Sequence, residues 1–129
     1  MEQQQYLSDT NVVIDFLGKK IPASGLDFMN GVIDSVPNVS VITKIEVLGF
    51  NAPKEYYELL TNFMNDATIL DLTSDIVDVS INIRKIHKTK LPDAIIAATA
   101  IVYDFVLISR NVSDFKNIKG LKVIDAHSL

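Results

Sequence analysis

The feature of this sequence that most constrains its fold is the regular alternation of very short apolar runs with longer segments of helical periodicity. The runs stand at residues 6–8, 39–42, 68–70, 106–108 and 121–124. In the segments between them, such as 73–86, apolar side chains recur every three or four residues, which predicts amphipathic helices. Short apolar strands separated by helices are typical of parallel sheets. The pattern predicts one α/β domain over residues 1–129, with a central, mostly parallel sheet and helices on both faces.

The segments between the apolar runs predict six helices. The first runs through residues 12–17, and the others span residues 22–35, 44–50, 53–65, 73–86 and 92–104. Asp9, Thr10 and Asn11 offer N-cap residues for the first helix and Thr73 for the fifth, and Gly18 favours the end of the first. The helix over 92–104 is rich in alanine and apolar nearly all round, so we expect it to be central and buried. Thr43 is expected to close the strand over 39–42.

Composition excludes several classes of protein. The chain contains no cysteine, which excludes disulfide scaffolds, zinc fingers, iron–sulfur sites and thiol catalysis. Sixteen acidic and twelve basic residues give a formal charge of −4, whereas nucleic-acid-binding domains are usually basic. However, eight of the twelve basic residues lie between Arg84 and Lys122. The acidic total therefore does not exclude a polyanionic substrate.

The sequence carries no signal for a membrane. Its first residues lack the basic and apolar pattern of a secretory leader. The longest uncharged stretch, residues 94–103, has ten residues, which is too short to span a bilayer. We therefore expect a cytoplasmic protein with no membrane partner.

Four carboxylates stand where predicted strands end or where a predicted helix begins. They are Asp9, Glu46, Asp93 and Asp114. Functional groups of parallel sheets gather at the carboxyl edge of the strands, and like charges there need a compensating cation. Oxygen ligands without His or Cys suit Mg²⁺ or Mn²⁺. The alternative role is helix capping, and Asp71 and Asp125 also follow strands, so position alone does not single out the four.

Four segments of the chain resemble the motif blocks of PIN-domain ribonucleases, and most closely those of VapC-type toxins. They are LSDTNVVID at 7–15, SVITKIEVLG at 40–49, KLPDAIIAATA at 90–100 and ISRNVSDF at 108–115. The blocks come in the order found in the family, and the resemblance covers essentially the whole chain. It implies a PIN-like fold.

The resemblance also implies roles for particular residues. Matched position by position, the catalytic and metal-binding acids of the family fall on Asp9, Glu46, Asp93 and Asp114. Supporting polar roles near the metal fall on Asn11, Thr43, Ser109 and Asn111. Ser109 stands where many relatives have threonine, and it keeps the hydroxyl. Asp71 and Asp125 match no catalytic position.

The implied activity is that of an endoribonuclease that uses Mg²⁺ or Mn²⁺ to hydrolyse RNA phosphodiesters. The implied partners are a VapB-like antitoxin, as in VapBC toxin–antitoxin pairs, and a second copy of the chain in a homodimer. For RNA binding we expect four cations: Arg84, Lys88, Lys90 and Arg110. The alternative for the cations at 84–90 is a solvated helix C-terminus, where positive charge suits the helix dipole.

Two other functions compete with this interpretation. The first is a receiver-like signalling module, which also gathers acids around Mg²⁺ at strand ends. A receiver has adjacent acids near its phospho-acceptor, whereas Asp9 has Ser8 and Thr10 as neighbours. The second is an inactive PIN domain kept only for binding, which the four acids disfavour without excluding.

Overall fold

Five short parallel strands form the centre of the protein in a computed structural model that describes residues 4–129. They are β1 (Tyr6–Ser8), β2 (Asn38–Ser40), β3 (Thr68–Leu70), β4 (Val106–Ile108) and β5 (Val123–Ile124). The strand order is β3-β2-β1-β4-β5, and all neighbouring strands run parallel. Because β1 is central, the segments that follow β1, β2 and β4 begin side by side at one edge of the sheet.

Within residues 4–129, seven α-helices connect or follow these strands. They are α1 (Thr10–Leu17), α2 (Ala23–Asp34), α3 (Val41–Leu48), α4 (Lys54–Asp66), α5 (Ser74–Ile86), α6 (Leu91–Tyr103) and α7 (Val112–Phe115), followed by a final 3₁₀ helix (Ala126–Ser128). Side-chain caps start three of them, since Asp9, Ser40 and Thr73 each accept a backbone N–H of the helix that follows. None of the helices between residues 4 and 129 has the length and apolar character needed to cross a membrane.

The helices cover both faces of the sheet, as the sequence predicts. On one face, α5 and α6 pack over Leu7 of β1 and Leu107 of β4. On the other face, α1 and α2 pack over Ile108, while α3 and α4 pack over Val39. Helix α6 is buried from Ala94 to Ala100. The predicted α/β fold is confirmed, and α6 is the central helix.

The prediction was wrong at the end of the second strand. Val41 and Ile42 were predicted to extend the strand, but β2 ends at Ser40 and both residues belong to α3. Ser40 Oγ accepts a hydrogen bond from the backbone N–H of Ile42 at 3.1 Å, which starts the helix early. Thr43 therefore lies inside α3, where it is fully buried, and does not close a strand.

Two smaller differences lie near the C-terminus. The predicted strand over 121–124 is shorter, because β5 contains only Val123 and Ile124. The backbone N–H of Leu121 instead bonds the carbonyl of Ile118 in a turn. The short helix α7 was not predicted, since its four residues are too few to show helical periodicity.

Candidate metal centre

Asp9 occupies the middle of the carboxyl edge of the sheet, directly after β1. It is only 5% exposed. Its Oδ1 accepts the backbone N–H of Thr10 at 2.7 Å, and its Oδ2 accepts the hydroxyl of Ser109 at 2.9 Å. Burial raises the pKa of Asp9, and the charges of Asp93 and Glu46 add to that rise, whereas the two hydrogen bonds act against it. A buried carboxylate is thus held in one orientation beside two other acids.

Ser109 is fixed by the segment that follows β4. Its side chain is fully buried, and its Oγ accepts the backbone N–H of Asn111 at 3.0 Å. Its own hydroxyl hydrogen is therefore free to point at Asp9. Asn111 contacts Ser109 through its backbone N–H, and the Asn111 side chain is exposed.

Glu46 reaches the site from α3, across from Asp9. The residue is largely exposed, and its Oε1 accepts the hydroxyl of Thr10 at 2.7 Å. The same Thr10 hydroxyl lies 3.1 Å from Oγ1 of the buried Thr43. Thr43 therefore contacts the acids through Thr10. Asn11, the next residue of α1, is exposed.

Asp93 and Asp114 complete the acidic cluster from two further helices. Asp93 lies in the first turn of α6 and Asp114 in α7. Desolvation raises the pKa of Asp93, the charges of Glu46 and Asp114 raise it further, and Lys90 opposes the rise. The structure therefore brings all four predicted acids into one electrostatic cluster. Asp125 instead caps the terminal 3₁₀ helix by accepting the backbone N–H of His127.

The donor set of this cluster fits a hard divalent cation. It consists of carboxylate oxygens supported by hydroxyls, which suits Mg²⁺ or Mn²⁺. Burial is the main cause of the raised pKa values of Asp9 and Asp93, and repulsion from neighbouring acids adds to it; a bound cation would relieve that repulsion. Between residues 4 and 129, however, no three His, Cys, Asp or Glu side chains already form a closed ligand set. Binding an ion there therefore requires acid side chains of the cluster to move closer together.

The predicted RNA-binding cations do not all lie at this cluster. Lys90 is close enough to lower the pKa of Asp93, and Arg110 follows Ser109 directly. Arg110 is exposed, with Nη1 4.0 Å from Oδ2 of Asp15. Arg84 instead lines an apolar groove with Leu91 and Ile95. Residues 91 and 95 share a helix face from which residue 93 points away. Lys88 is exposed in the segment before α6.

Thr10 is the polar residue of this site that the sequence interpretation missed. The signal was present, because Thr10 stands between Asp9 and Asn11 in the first motif block. Its contact with Glu46 joins residues 36 positions apart and depends on how α1 packs against α3. No local periodicity encodes that packing.

Comparisons with known proteins identify the family and the fold of the chain. The PIN domain family matches residues 6–121. The comparison with curated proteins gives no match. Among solved structures, the chain is similar to one in a toxin–antitoxin complex from Klebsiella pneumoniae, with 32% sequence identity and a TM-score of 0.72, over 95% of this chain and 98% of that chain.

Two further solved structures share the fold at lower identity. One is DNA-bound VapBC from Salmonella typhimurium, at 21% identity and a TM-score of 0.82, over 96% of this chain and 99% of that one. The other is VapBC-1 from nontypeable Haemophilus influenzae, at 22% identity and a TM-score of 0.78, over 95% and 98%. The family match spans nearly the whole sequence, and the predicted resemblance is confirmed: this chain belongs to the PIN domain family.

Proposed function

We propose that this protein is a divalent-metal-dependent endoribonuclease that hydrolyses RNA phosphodiesters. Membership of the PIN domain family supports nuclease chemistry. The observation that carries the proposal is the acidic cluster at the carboxyl edge of the sheet, where burial and neighbouring charges raise the pKa values of Asp9 and Asp93. Acids whose pKa values are raised by burial and by neighbouring charges are typical of catalytic sites.

Asp9, Glu46, Asp93 and Asp114 are the residues that would hold Mg²⁺ or Mn²⁺. Such an ion, when bound, supplies a water of lowered pKa and neutralises charge that develops on the phosphate oxygens. Asp9 contributes a carboxylate whose direction Ser109 and Thr10 fix. Lys90, whose charge acts on Asp93, and Arg110, which follows Ser109 in the chain, would hold the phosphates of an RNA strand near the acids. Arg84 and Lys88 would extend the contact further along the strand.

We further propose that the chain is the toxin of a VapBC-type pair, with a VapB-like antitoxin as partner, and that it forms homodimers. The similarity to chains of toxin–antitoxin complexes supports the first proposal. For a protein partner, α5, α6 and the segment before α5 offer exposed apolar side chains that a lone domain has no need to expose. They are Leu72, Val77, Ile81 and Leu91. Sedimentation equilibrium tests the homodimer, and a purely monomeric chain would contradict it.

The activity test uses the purified chain, a mixed RNA substrate and either Mg²⁺ or Mn²⁺. We expect cleavage that stops when EDTA is added. Asp9→Asn and Asp93→Asn should each reduce the cleavage rate at least about 100-fold, because even residues that only support metal ligands cost 10- to 100-fold when changed. The matched control is Asp71→Asn, an acid that follows β3 and is exposed, which should cleave at the wild-type rate.

The same assay separates the proposed enzyme from a PIN domain kept only for binding. A binding domain would retain RNA on a filter but release no new RNA ends at any metal concentration. Cleavage that persists in EDTA, or that Asp9→Asn leaves at full rate, would refute the metal-dependent mechanism. Sequencing the cleavage ends then identifies the RNA target.

A further inference from the structure

Glu46 lies on an exposed part of α3, yet its carboxylate is tied to another helix. Thr10 Oγ1 lies 2.7 Å from Glu46 Oε1 and 3.1 Å from Thr43 Oγ1. Thr10 begins α1, whereas Glu46 and Thr43 lie on α3. One hydroxyl therefore stands between a buried residue of α3 and an exposed acid of the same helix.

The chemistry of the three groups fixes the direction of the two hydrogen bonds. An ionised Glu46 has no hydrogen to donate, so it accepts the single hydroxyl hydrogen of Thr10. The contact between the two threonines must then use the hydrogen of Thr43, with Thr10 Oγ1 as acceptor. Thr43 is fully buried, so its hydroxyl is a fixed starting point. The result is a directed series of two hydrogen bonds, in which Thr43 donates to Thr10 and Thr10 donates to Glu46.

A similar series of two hydrogen bonds holds the carboxylate of Asp9 on the other side of the site. The backbone N–H of Asn111 donates to Ser109 Oγ, and the Ser109 hydroxyl donates to Asp9 Oδ2. No such hydroxyl contact reaches Asp93 or Asp114 from within residues 4–129. The site therefore has two acids with fixed carboxylates and two whose carboxylates are free to adjust.

We propose that Thr10 is a positioning residue that holds the Glu46 carboxylate at the acidic cluster, with Thr43 fixing the Thr10 hydroxyl. This inference rests on the proposed function, because it concerns how that site captures its metal ion. A free glutamate loses side-chain rotamer freedom when it becomes a ligand. The Thr10 hydrogen bond restricts Glu46 before the ion arrives, so losing it should weaken metal binding while the fold stays intact.

The test is isothermal titration of the full chain with Mn²⁺, accompanied by thermal unfolding of each variant. Thr10→Val keeps the shape and removes the hydroxyl, and we expect it to weaken Mn²⁺ binding by about 10-fold or more. Thr10→Ser keeps the hydroxyl and should restore the affinity. Thr61→Val is the matched control, since the buried Thr61 hydroxyl has no hydrogen-bond partner in the described part of the chain.

A double variant asks whether Thr10 acts through Glu46. In a Glu46→Ala background, Thr10→Val should cause no further loss of Mn²⁺ affinity. A full additional loss there, or wild-type affinity in Thr10→Val alone, would overturn the positioning role while leaving the proposed function intact. If Thr10→Val does not fold, Thr43→Val takes its place, and unchanged Mn²⁺ affinity in that variant overturns the role. Failure of the wild-type chain to bind Mn²⁺ would instead overturn the proposed function.

Discussion

Ser109 donates a hydrogen bond to Oδ2 of Asp9 at 2.9 Å, although the two residues lie 100 positions apart in the chain. The cause is the register of the two central strands, in which Ser8 of β1 pairs with Ile108 of β4. Because the strands are parallel, the next residue of each one emerges at the same edge of the sheet. The pairing of two three-residue strands thus sets the orientation of the most buried acid in the site.

The first prediction concerns this hydrogen bond. Ser109→Ala removes a donor that lowers the pKa of Asp9, so that pKa should rise further above its ordinary value. Since a metal ion binds the ionised carboxylate, we expect Mn²⁺ affinity to fall about 10-fold. The loss should be larger at pH 5.5 than at pH 8, as measured by calorimetry at both values. Ser109→Thr should retain the affinity.

Ser8→Ala is the control for that substitution. Ser8 is also buried beside Asp9, but its hydroxyl has no hydrogen-bond partner in the part of the chain that the structure describes. Removing an unpaired buried hydroxyl should leave Mn²⁺ affinity unchanged and should not lower stability. An equal loss of affinity in Ser8→Ala would show that the Ser109 result reflects general disturbance of the strand ends.

The second prediction is a pH dependence of the metal-free protein. The pKa values of Asp9 and Asp93 are raised above 3.8 by burial and by neighbouring acids. The folded state therefore binds these protons more tightly than the unfolded state does. Their stabilising contribution is present below the ordinary pKa near 4 and is lost as the pH rises through the raised values. At neutral pH, the ionised pair destabilises the fold.

Asp9→Asn removes one of these charges while keeping an oxygen that can accept the Thr10 N–H. In EDTA, its melting temperature should exceed that of the wild type at pH 7, and the difference should shrink toward pH 4. Mg²⁺ should raise the melting temperature of the wild type at pH 7 and have little effect on the variant. A difference that is constant with pH would contradict the charge-based explanation.

The sequence placed acids at one edge of the sheet, but position did not separate Asp9, Glu46, Asp93 and Asp114 from Asp71 and Asp125, and the match to the PIN motif blocks singled out the four. Apolar runs located the strands, and the carboxyl edge of a parallel sheet follows from them. The segment after Ser40 was not predictable in the same way. The β-branched residues Val41 and Ile42 favour a strand, but the Ser40 cap stabilises a helix there. The role of Thr10 was also hidden, because it depends on contacts between α1 and α3.

The third prediction tests Arg110 as an RNA contact. Asp9→Asn serves as the background, so that bound RNA is not cleaved. Arg110→Ala should weaken RNA binding, and the slope of log affinity against log salt should fall in magnitude by about 1, as for the loss of one phosphate contact. The control is Lys122→Ala, because the side chains of Lys122 and Arg110 are both 65% exposed. Lys122 Nζ lies 3.8 Å from Oδ1 of Asp104, which caps the C-terminus of α6, whereas Asp93 lies in the first turn at the opposite end of that helix. The salt dependence of RNA binding by the Lys122→Ala variant should therefore match that of the Asp9→Asn background.

The last prediction contrasts two glycines of α2. A Cβ added to Gly25 would lie 1.7 Å from the carbonyl oxygen of Ala126, whereas a Cβ added to Gly31 meets no atom within 4 Å. Gly25→Ala must therefore push the C-terminal 3₁₀ helix off α2, and we expect a loss of about 3 kcal/mol in the free energy of unfolding. Gly31→Ala should instead stabilise the helix by up to about 1 kcal/mol. Urea unfolding followed by circular dichroism measures both changes. Equal effects of the same sign would show that helix propensity, and not the contact with Ala126, governs Gly25.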